Sequence, residues 1–192
     1  MSVKISSFMS QEMPLTKEEA DAVVELIPIK SFPKGHVLLE EGDVSKSSYF
    51  IINGCVRAYQ VIDGDDRTTE FYTEGDPVSS LTSYVNQTPA NHYLACVENC
   101  ELAVLTFENE RELYKRHPKF ESLCRLSIEQ EYGKQQAILQ NYLTKNPEER
   151  YLLLLKTRPE LLQRVPQYHL ATFLGVQPES LSRIRKRIAH KE

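Results

Sequence analysis

In the stretch PESLSRIRKRIAHKE, Glu179, Ser182, Arg183 and Lys186 recur at helical spacing. At 100° per residue they fall, with His190, on one side of a helix, while Leu181, Ile184 and Ile188 fall on the other. These are side chains that read nucleic acid. Arginine forks onto guanine, glutamate accepts from cytosine, serine serves a base or a phosphate, and lysine neutralises phosphate. From Arg164 onward there are six basic residues (Arg164, Arg183, Arg185, Lys186, Arg187, Lys191) and two acidic ones (Glu179, Glu192), in a chain of net charge −4. A basic end on an acidic body suits a polyanion. Charge alone is equally consistent with a solvated helix end that complements the macrodipole.

The residues just upstream separate the two readings. A helix-turn-helix needs a small residue where its helices touch, a glycine in the turn and apolar residues at fixed inward positions. Ala171, Gly175 and the set Leu170, Leu174, Val176, Leu181 and Ile184 meet all three requirements. Pro178 suits the first turn of the second helix, with Gln177 before it as the cap. The start of such a helix meets base edges in the major groove. The expected DNA-contacting set is therefore Gln167 and Tyr168 on the first helix, with Gln177, Pro178, Glu179, Ser180, Ser182, Arg183 and Lys186 at the turn and on the second.

The elements that must carry this end can also be read. Thr16 and Glu19 form a capping box ahead of Ala20, Val23, Val24 and Ile27, and Pro28 stops that helix. Five of the seven glycines (Gly35, Gly42, Gly54, Gly64, Gly75) then punctuate short β-rich runs: HVLLE, SYFIIN, CVRAYQVI and RTTEFYT, followed by HYLACV and ELAVLT. Strands at this spacing predict an antiparallel barrel or jelly roll from about Ile29 to Thr106. A long helix is expected from about Lys119 to Leu143, carrying Phe120, Leu123, Leu126, Tyr132, Ile138 and Tyr142. Its apolar surplus suggests a two-chain seam. Asn146, Pro147 and Glu149 start a further helix, with Tyr151–Leu155 as its buried part and Pro159 at its end.

This order, with GVQPESLSRIRK at the end and the turns EEGD, INGCVRAY and TEGD in the barrel, resembles the Crp-Fnr family of bacterial transcription regulators. The resemblance covers nearly the whole chain. It implies an α+β fold: a cyclic-nucleotide-binding-like β-barrel with an N-terminal helix over residues 1–118, a dimerisation helix over 119–144 and a helix-turn-helix domain over 145–192. It further implies a homodimer on palindromic double-stranded DNA, acting with RNA polymerase, and a sensing barrel. The family's phosphate cassette falls at Ser79, Ser80 and Leu81 and at Ala90, Asn91 and His92, which become the candidate effector pocket. Ser80 stands where a glutamate would hold a ribose, and Ala90 where an arginine would neutralise a phosphate. A buried phosphate without that arginine loses hydration for little return, which argues against cyclic AMP or GMP and leaves no cofactor expected. Iron–sulfur members use an N-terminal cysteine cluster, and no cysteine precedes Cys55. The chain runs only to Glu192, so the expectation stops at a helix-turn-helix and does not extend to a β-wing.

Other classes fare worse. An enzyme on a cupin-like barrel needs converging ligands, but His36, His92, His117, His169 and His190 are isolated in sequence. No nucleophile elbow or phosphate-binding glycine loop occurs. A barrel regulator acting on protein partners would leave the basic face unexplained. Cys96 and Cys100 have a C-x3-C spacing without the companions of a metal site, and buried free thiols are the default for Cys55, Cys96, Cys100 and Cys124. With no run near 20 apolar residues and no apolar signal at the start, a cytoplasmic protein without a membrane span is expected.

Overall fold

A computed structural model describes residues 14–189. The first helix, α1 (Lys17–Leu26), opens on the expected box: the Thr16 N–H donates to Glu19 Oε2 (2.6 Å) and the Glu19 N–H to Thr16 Oγ1 (3.3 Å). Eight strands follow: β1 (Ile29–Phe32), β2 (Val37–Leu39), β3 (Ser47–Asn53), β4 (Val56–Ile62), β5 (Asp65–Tyr72), β6 (Pro77–Val78), β7 (Tyr93–Cys96) and β8 (Cys100–Thr106). They form two four-stranded antiparallel sheets, ordered β1-β8-β3-β6 and β2-β7-β4-β5. Between the sheets lies a core that includes Leu39, Ile51, Val56, Val78, Leu94 and Leu102. The predicted jelly roll is thus observed. The pattern reading did not resolve β6, which is two residues long, or the short helix α2 (Leu81–Asn86) that follows it.

Beyond the sandwich come α3 (Phe107–Arg116), the long α4 (Lys119–Thr144), α5 (Pro147–Thr157), α6 (Leu161–Arg164), α7 (Gln167–Phe173) and α8 (Pro178–Ala189). Asn146 caps α5 reciprocally with Glu149, and Pro147 occupies its first turn, as read from sequence. Tyr151 and Leu154 are the buried residues of α5.

Two expectations are corrected here. Leu123 of α4 is buried with Phe120 against Val23, Leu26 and Leu113 of the same chain, so it cannot belong to a free seam. The exposed apolar residues of α4 include Ile128, Tyr132, Leu139 and Leu143, which fall within an arc of about 60° on the helix. Leu126 lies well off that arc, Ile138 is half-buried on the side facing the body, and Tyr142 sits over the turn between α7 and α8. The second correction concerns residues 145–192. Their apolar core is not their own: Leu161, Leu170, Leu174, Leu181 and Ile184 share one cluster with Cys55, Phe71 and Val97 of the sandwich.

The turn itself follows from Gly175. It takes φ +71°, the Gly175 N–H donates to the Thr172 carbonyl (3.0 Å), and the Val176 N–H donates to the Ala171 carbonyl (2.9 Å). These two bonds close a Schellman motif and turn the chain from α7 into α8. A Cβ there would meet Tyr142 Oη at 3.0 Å. Gly175→Ala should therefore lower the unfolding free energy by about 1–2 kcal/mol. Gly133 is the internal control: it lies inside α4, and a Cβ there meets nothing within 4 Å. Gly133→Ala should raise stability by about 0.5–1 kcal/mol. Urea melts of both variants check the pair of signs.

Candidate nucleic-acid interface

The two helices joined at Gly175 bury what the pattern said they would. Leu170, Ala171, Leu174, Leu181, Ile184 and Ile188 are buried. The Gln177 carbonyl accepts the first helical bonds of α8, from Ser180 N (3.0 Å) and Leu181 N (3.1 Å), which places Gln177 at the cap. Glu179, Ser182, Arg183 and Lys186 are all exposed on the opposite side, and Ser180 is half-buried. Gln177 is exposed and Pro178 half-buried at the start of the helix, with Gln167 and Tyr168 exposed at the start of α7. Seven of the nine predicted residues therefore lie on α8 or at its start, and Gln167 and Tyr168 lie at the opposite end of α7 from the turn. His190 lies outside the described residues. Arg183 Nη2 donates to Ser180 Oγ (3.2 Å), so Ser180 orients the guanidinium.

What the sequence did not reveal is how this unit is held. Helix α7 lies on the outer side of the second sheet. β5 is the edge strand of that sheet, and its Thr68 N–H donates to Thr172 Oγ1 of α7 (3.2 Å). An edge strand left open invites foreign pairing, and here a helix covers it. Next to this contact, Arg57 of β4 is buried. It donates from Nη1 to His169 Nδ1 (2.6 Å), and from Nη2 to Asp66. A guanidinium has no acceptor, so Nδ1 of His169 must be unprotonated. Burial, and secondarily the Arg57 charge, pull the His169 pKa down from 6.5 to about 4.

Two more arginines tie the same bodies together. Arg158, at the end of α5, donates to the Phe71 carbonyl (2.8 Å) and to Thr73 Oγ1 (3.2 Å), and lies 3.5 Å from buried Glu70. Gln135 of α4 donates to the other Glu70 oxygen (3.2 Å). Glu70 thus sits where the sandwich, the long helix and the helix-turn-helix end meet, and burial pushes its pKa up to about 7. Arg164, closing α6, donates to both Glu74 (2.8 Å) and Glu98 (3.0 Å). The Arg164 contact holds the Glu74 carboxyl down to about 2. None of Arg57, Glu70, Arg158 or His169 stood out in sequence, because their partners are dozens of residues away.

The candidate effector residues are brought to one region but do not line a cavity together. Ser80 and Ala90 are buried, Ser79 and His92 half-buried, and Leu81 and Asn91 exposed. Ala90 donates its N–H to the Asp43 carbonyl and accepts from the Gly42 N–H, both at 2.8 Å. A cleft of about 350 Å³ is lined instead by β2, β3 and the residues between them, and a second of about 660 Å³ lies beside Cys100; neither includes any of the six. Among the described residues no group of three or more His, Cys, Asp or Glu could hold a metal, and no helix is long and apolar enough to cross a membrane.

Residues 29–117 match the cyclic nucleotide-binding domain, the span from β1 to the end of α3. The fumarate and nitrate reduction regulatory protein of Vibrio cholerae is 27% identical over 192 residues, covering 93% of this chain and 76% of the relative. The chain is thus similar to this regulatory protein over nearly its whole length. Solved structures agree on the fold. CLP, a c-di-GMP responsive global regulator of Xanthomonas campestris, superposes with a TM-score of 0.71 at 18% identity, covering 92% of this chain and 93% of that one. FixK2 of Bradyrhizobium japonicum gives 0.71 at 14% identity, covering 86% and 85%. At the positions where the resemblance expects a ribose-binding glutamate and a phosphate-binding arginine, this chain has Ser80 and Ala90.

The buried Arg57–His169 contact gives a checkable titration. In the unfolded chain His169 takes a proton near pH 6.5, whereas in the folded protein it resists protonation to about pH 4. Its contribution to stability is present above pH 6.5 and is lost as the pH falls toward 4. NMR should find the His169 imidazole titrating near 4. Arg57→Met should raise that midpoint, yet leave it below 6.5, because burial is the larger cause.

Proposed function

We propose that this protein is a Crp-Fnr transcription regulator that acts as a homodimer on a palindromic operator in double-stranded DNA, presenting α8 of each protomer to successive major grooves and thereby governing access of RNA polymerase. The observation that carries this reading is the division of α8: Leu181, Ile184 and Ile188 are buried, while Glu179, Ser182, Arg183 and Lys186 are all free for a ligand. Arg183 is the guanine reader, pre-oriented by Ser180. Glu179 repels phosphate and is useful only as an acceptor from cytosine. Lys186 lies one turn further along and serves phosphate. Gln167, Tyr168, Gln177, Pro178 and Ser182 complete the contact surface. The recognition helices of the two protomers should lie about 34 Å apart.

The dimer is assigned to the open stripe of α4, Ile128, Tyr132, Leu139 and Leu143. Leu143 is 74% exposed and Tyr132 64%, an arrangement that favours a partner helix over water. Effector sensing is assigned to the sandwich around Ser79, Ser80, Leu81, Ala90, Asn91 and His92. Cyclic AMP and GMP are left out of this reading, because no arginine stands at the cassette to repay the loss of phosphate hydration.

Gel shifts on a selected operator test the reader. Arg183→Ala should cost about 1–3 kcal/mol and relax specificity at one base pair per half-site. Lys186→Ala should weaken all sequences alike and flatten the salt dependence by about one unit. If both variants bind every operator as the parent does, α8 is not the reader. The seam is tested separately: Leu139→Glu should shift the protein from dimer to monomer in sedimentation and weaken operator binding with it. Leu126→Glu, off the stripe, should leave the dimer intact.

A further inference from the structure

Three of the four cysteines meet where β4 starts, β7 ends and β8 begins, and they do not share one environment. Cys55 faces outward into the core shared with α5–α8, and burial pushes its thiol up to about 12. Cys96 and Cys100 face inward, into one cluster of the sandwich core, and the Cys55 carbonyl bridges their ends of the loop, accepting from the Val97 N–H (2.8 Å) and lying within reach of the Cys100 sulfur. The sulfur of Cys100 lies 3.3 Å from the Glu98 carbonyl and 3.5 Å from that of Cys55. Gly54 gives it room: a Cβ there would come within 2.6 Å of the sulfur. The 660 Å³ cleft has Cys100 in its wall, beside Phe32, Asn53 and Asn99.

The three residues between these cysteines are the sandwich's grip on the helix-turn-helix end. Val97 packs in the core shared with Leu161, Leu170 and Leu174. Glu98 receives Arg164 of α6. Asn99 Oδ1 accepts from the Lys34 N–H (2.9 Å) and steadies the loop.

We propose that Cys96 and Cys100 form a redox-modification site, in which hydrogen peroxide entering through the cleft joins them in a disulfide and loosens the hold of loop 97–99 on α6. The steps balance. The Cys100 sulfur attacks one peroxide oxygen, the O–O bond breaks, and Cys100 becomes a sulfenic acid with release of water. The Cys96 sulfur then displaces the hydroxyl, the S–S bond forms, and a second water leaves. The two thiols lose two electrons and the peroxide gains them.

The roles follow from the contacts. Cys100, not Cys96, lines the cleft, and the neighbouring Cys96 thiol holds Cys100 below its ordinary range while Cys96 itself is pushed up; Cys100 is thus the attacking sulfur. Bonding the two sulfurs draws the ends of a three-residue loop to disulfide distance. It also removes the only proton Cys100 has to offer the Glu98 carbonyl. Both changes act on the residue that Arg164 holds.

The test uses the full chain carrying Cys124→Ser, which removes the half-exposed thiol. After hydrogen peroxide treatment, mass spectrometry should find the protein lighter by two hydrogens, with a Cys96–Cys100 cross-linked peptide. Both cysteines should then resist alkylation in denaturant until dithiothreitol is added. Hydrogen exchange should quicken across α6 and α7 in the oxidised form and return on reduction, and Cys96→Ser should abolish both the cross-link and the change. Recovery of Cys96 and Cys100 as alkylatable thiols after peroxide overturns the site. A cross-link with unchanged exchange in α6 and α7 overturns the coupling. Any consequence for operator binding rests on the DNA-reading role of α8, but these readouts involve no DNA. Failure of that role would leave them unchanged.

Discussion

The second sheet of the sandwich is buried on both faces, and the rest of the arrangement depends on it. Val56 and Ala58 of β4 point into the space between the sheets. Cys55 at the start of β4, together with Arg57 and with Phe71 of β5, points the other way, toward α7. A strand alternates faces with a period of two, so this part of the hairpin serves the sandwich core and α7 in turn, while its tip at Val61, Ile62 and Asp65 is exposed. Phe71 and Phe173 meet edge to face at 5.2 Å, and the apolar contact is ringed by Arg57, Arg158 and Arg164 with their carboxylate or imidazole partners. Removing the sheet's outer face would leave α7 without half its core.

That dependence joins the sandwich to the helix-turn-helix by direct contact. The sandwich does not reach the helix-turn-helix only through α4. Its β4–β5 hairpin, the loop after β7 and the turn after β5 touch α5, α6 and α7 themselves. The contacts are polar and buried, or nearly so, and such networks cost a great deal when half-satisfied. Glu70 shows the point: it lies between Arg158 and Gln135, and burial pushes its carboxyl up to about 7, above the usual carboxylate range. A shift of the sheet by a fraction of a hydrogen-bond length is felt by all three helices. On the exposed side of α8, by contrast, Arg183 bonds to Ser180 of the same helix, and Arg187 pairs with Glu148 of α5 at 3.2 Å.

The sequence was legible where the governing interactions are local. The capping boxes at Thr16 and Asn146, the glycine-spaced strands and the α7–Gly175–α8 turn each depend on residues within a few positions of one another. Their types and spacing therefore carry the structure. The long helix was legible in extent but not in orientation. Leu123 and Leu126 look alike in sequence, yet one packs on Leu113 and the other faces water, since a helix's periodicity says which residues share a face and not which face meets a neighbour. The effector cassette was read from likeness to a motif, and neither of the two clefts described above is lined by its residues.

The sequence by itself thus determined the kinds of element, their order and the polarity of α8, because propensity, capping and amphipathic spacing are properties of neighbouring residues. The tertiary structure alone decided which cations are buried and paired, that Arg57 meets His169 across 112 positions, that residues 145–192 share a core with the sandwich, and that two cysteines four residues apart lie on the same side of a loop that grips α6. Each of these is a contact between segments far apart in the chain or a choice of facing. Such choices are made by the packing of the whole molecule, where burial of apolar area and the satisfaction of buried charge are settled together.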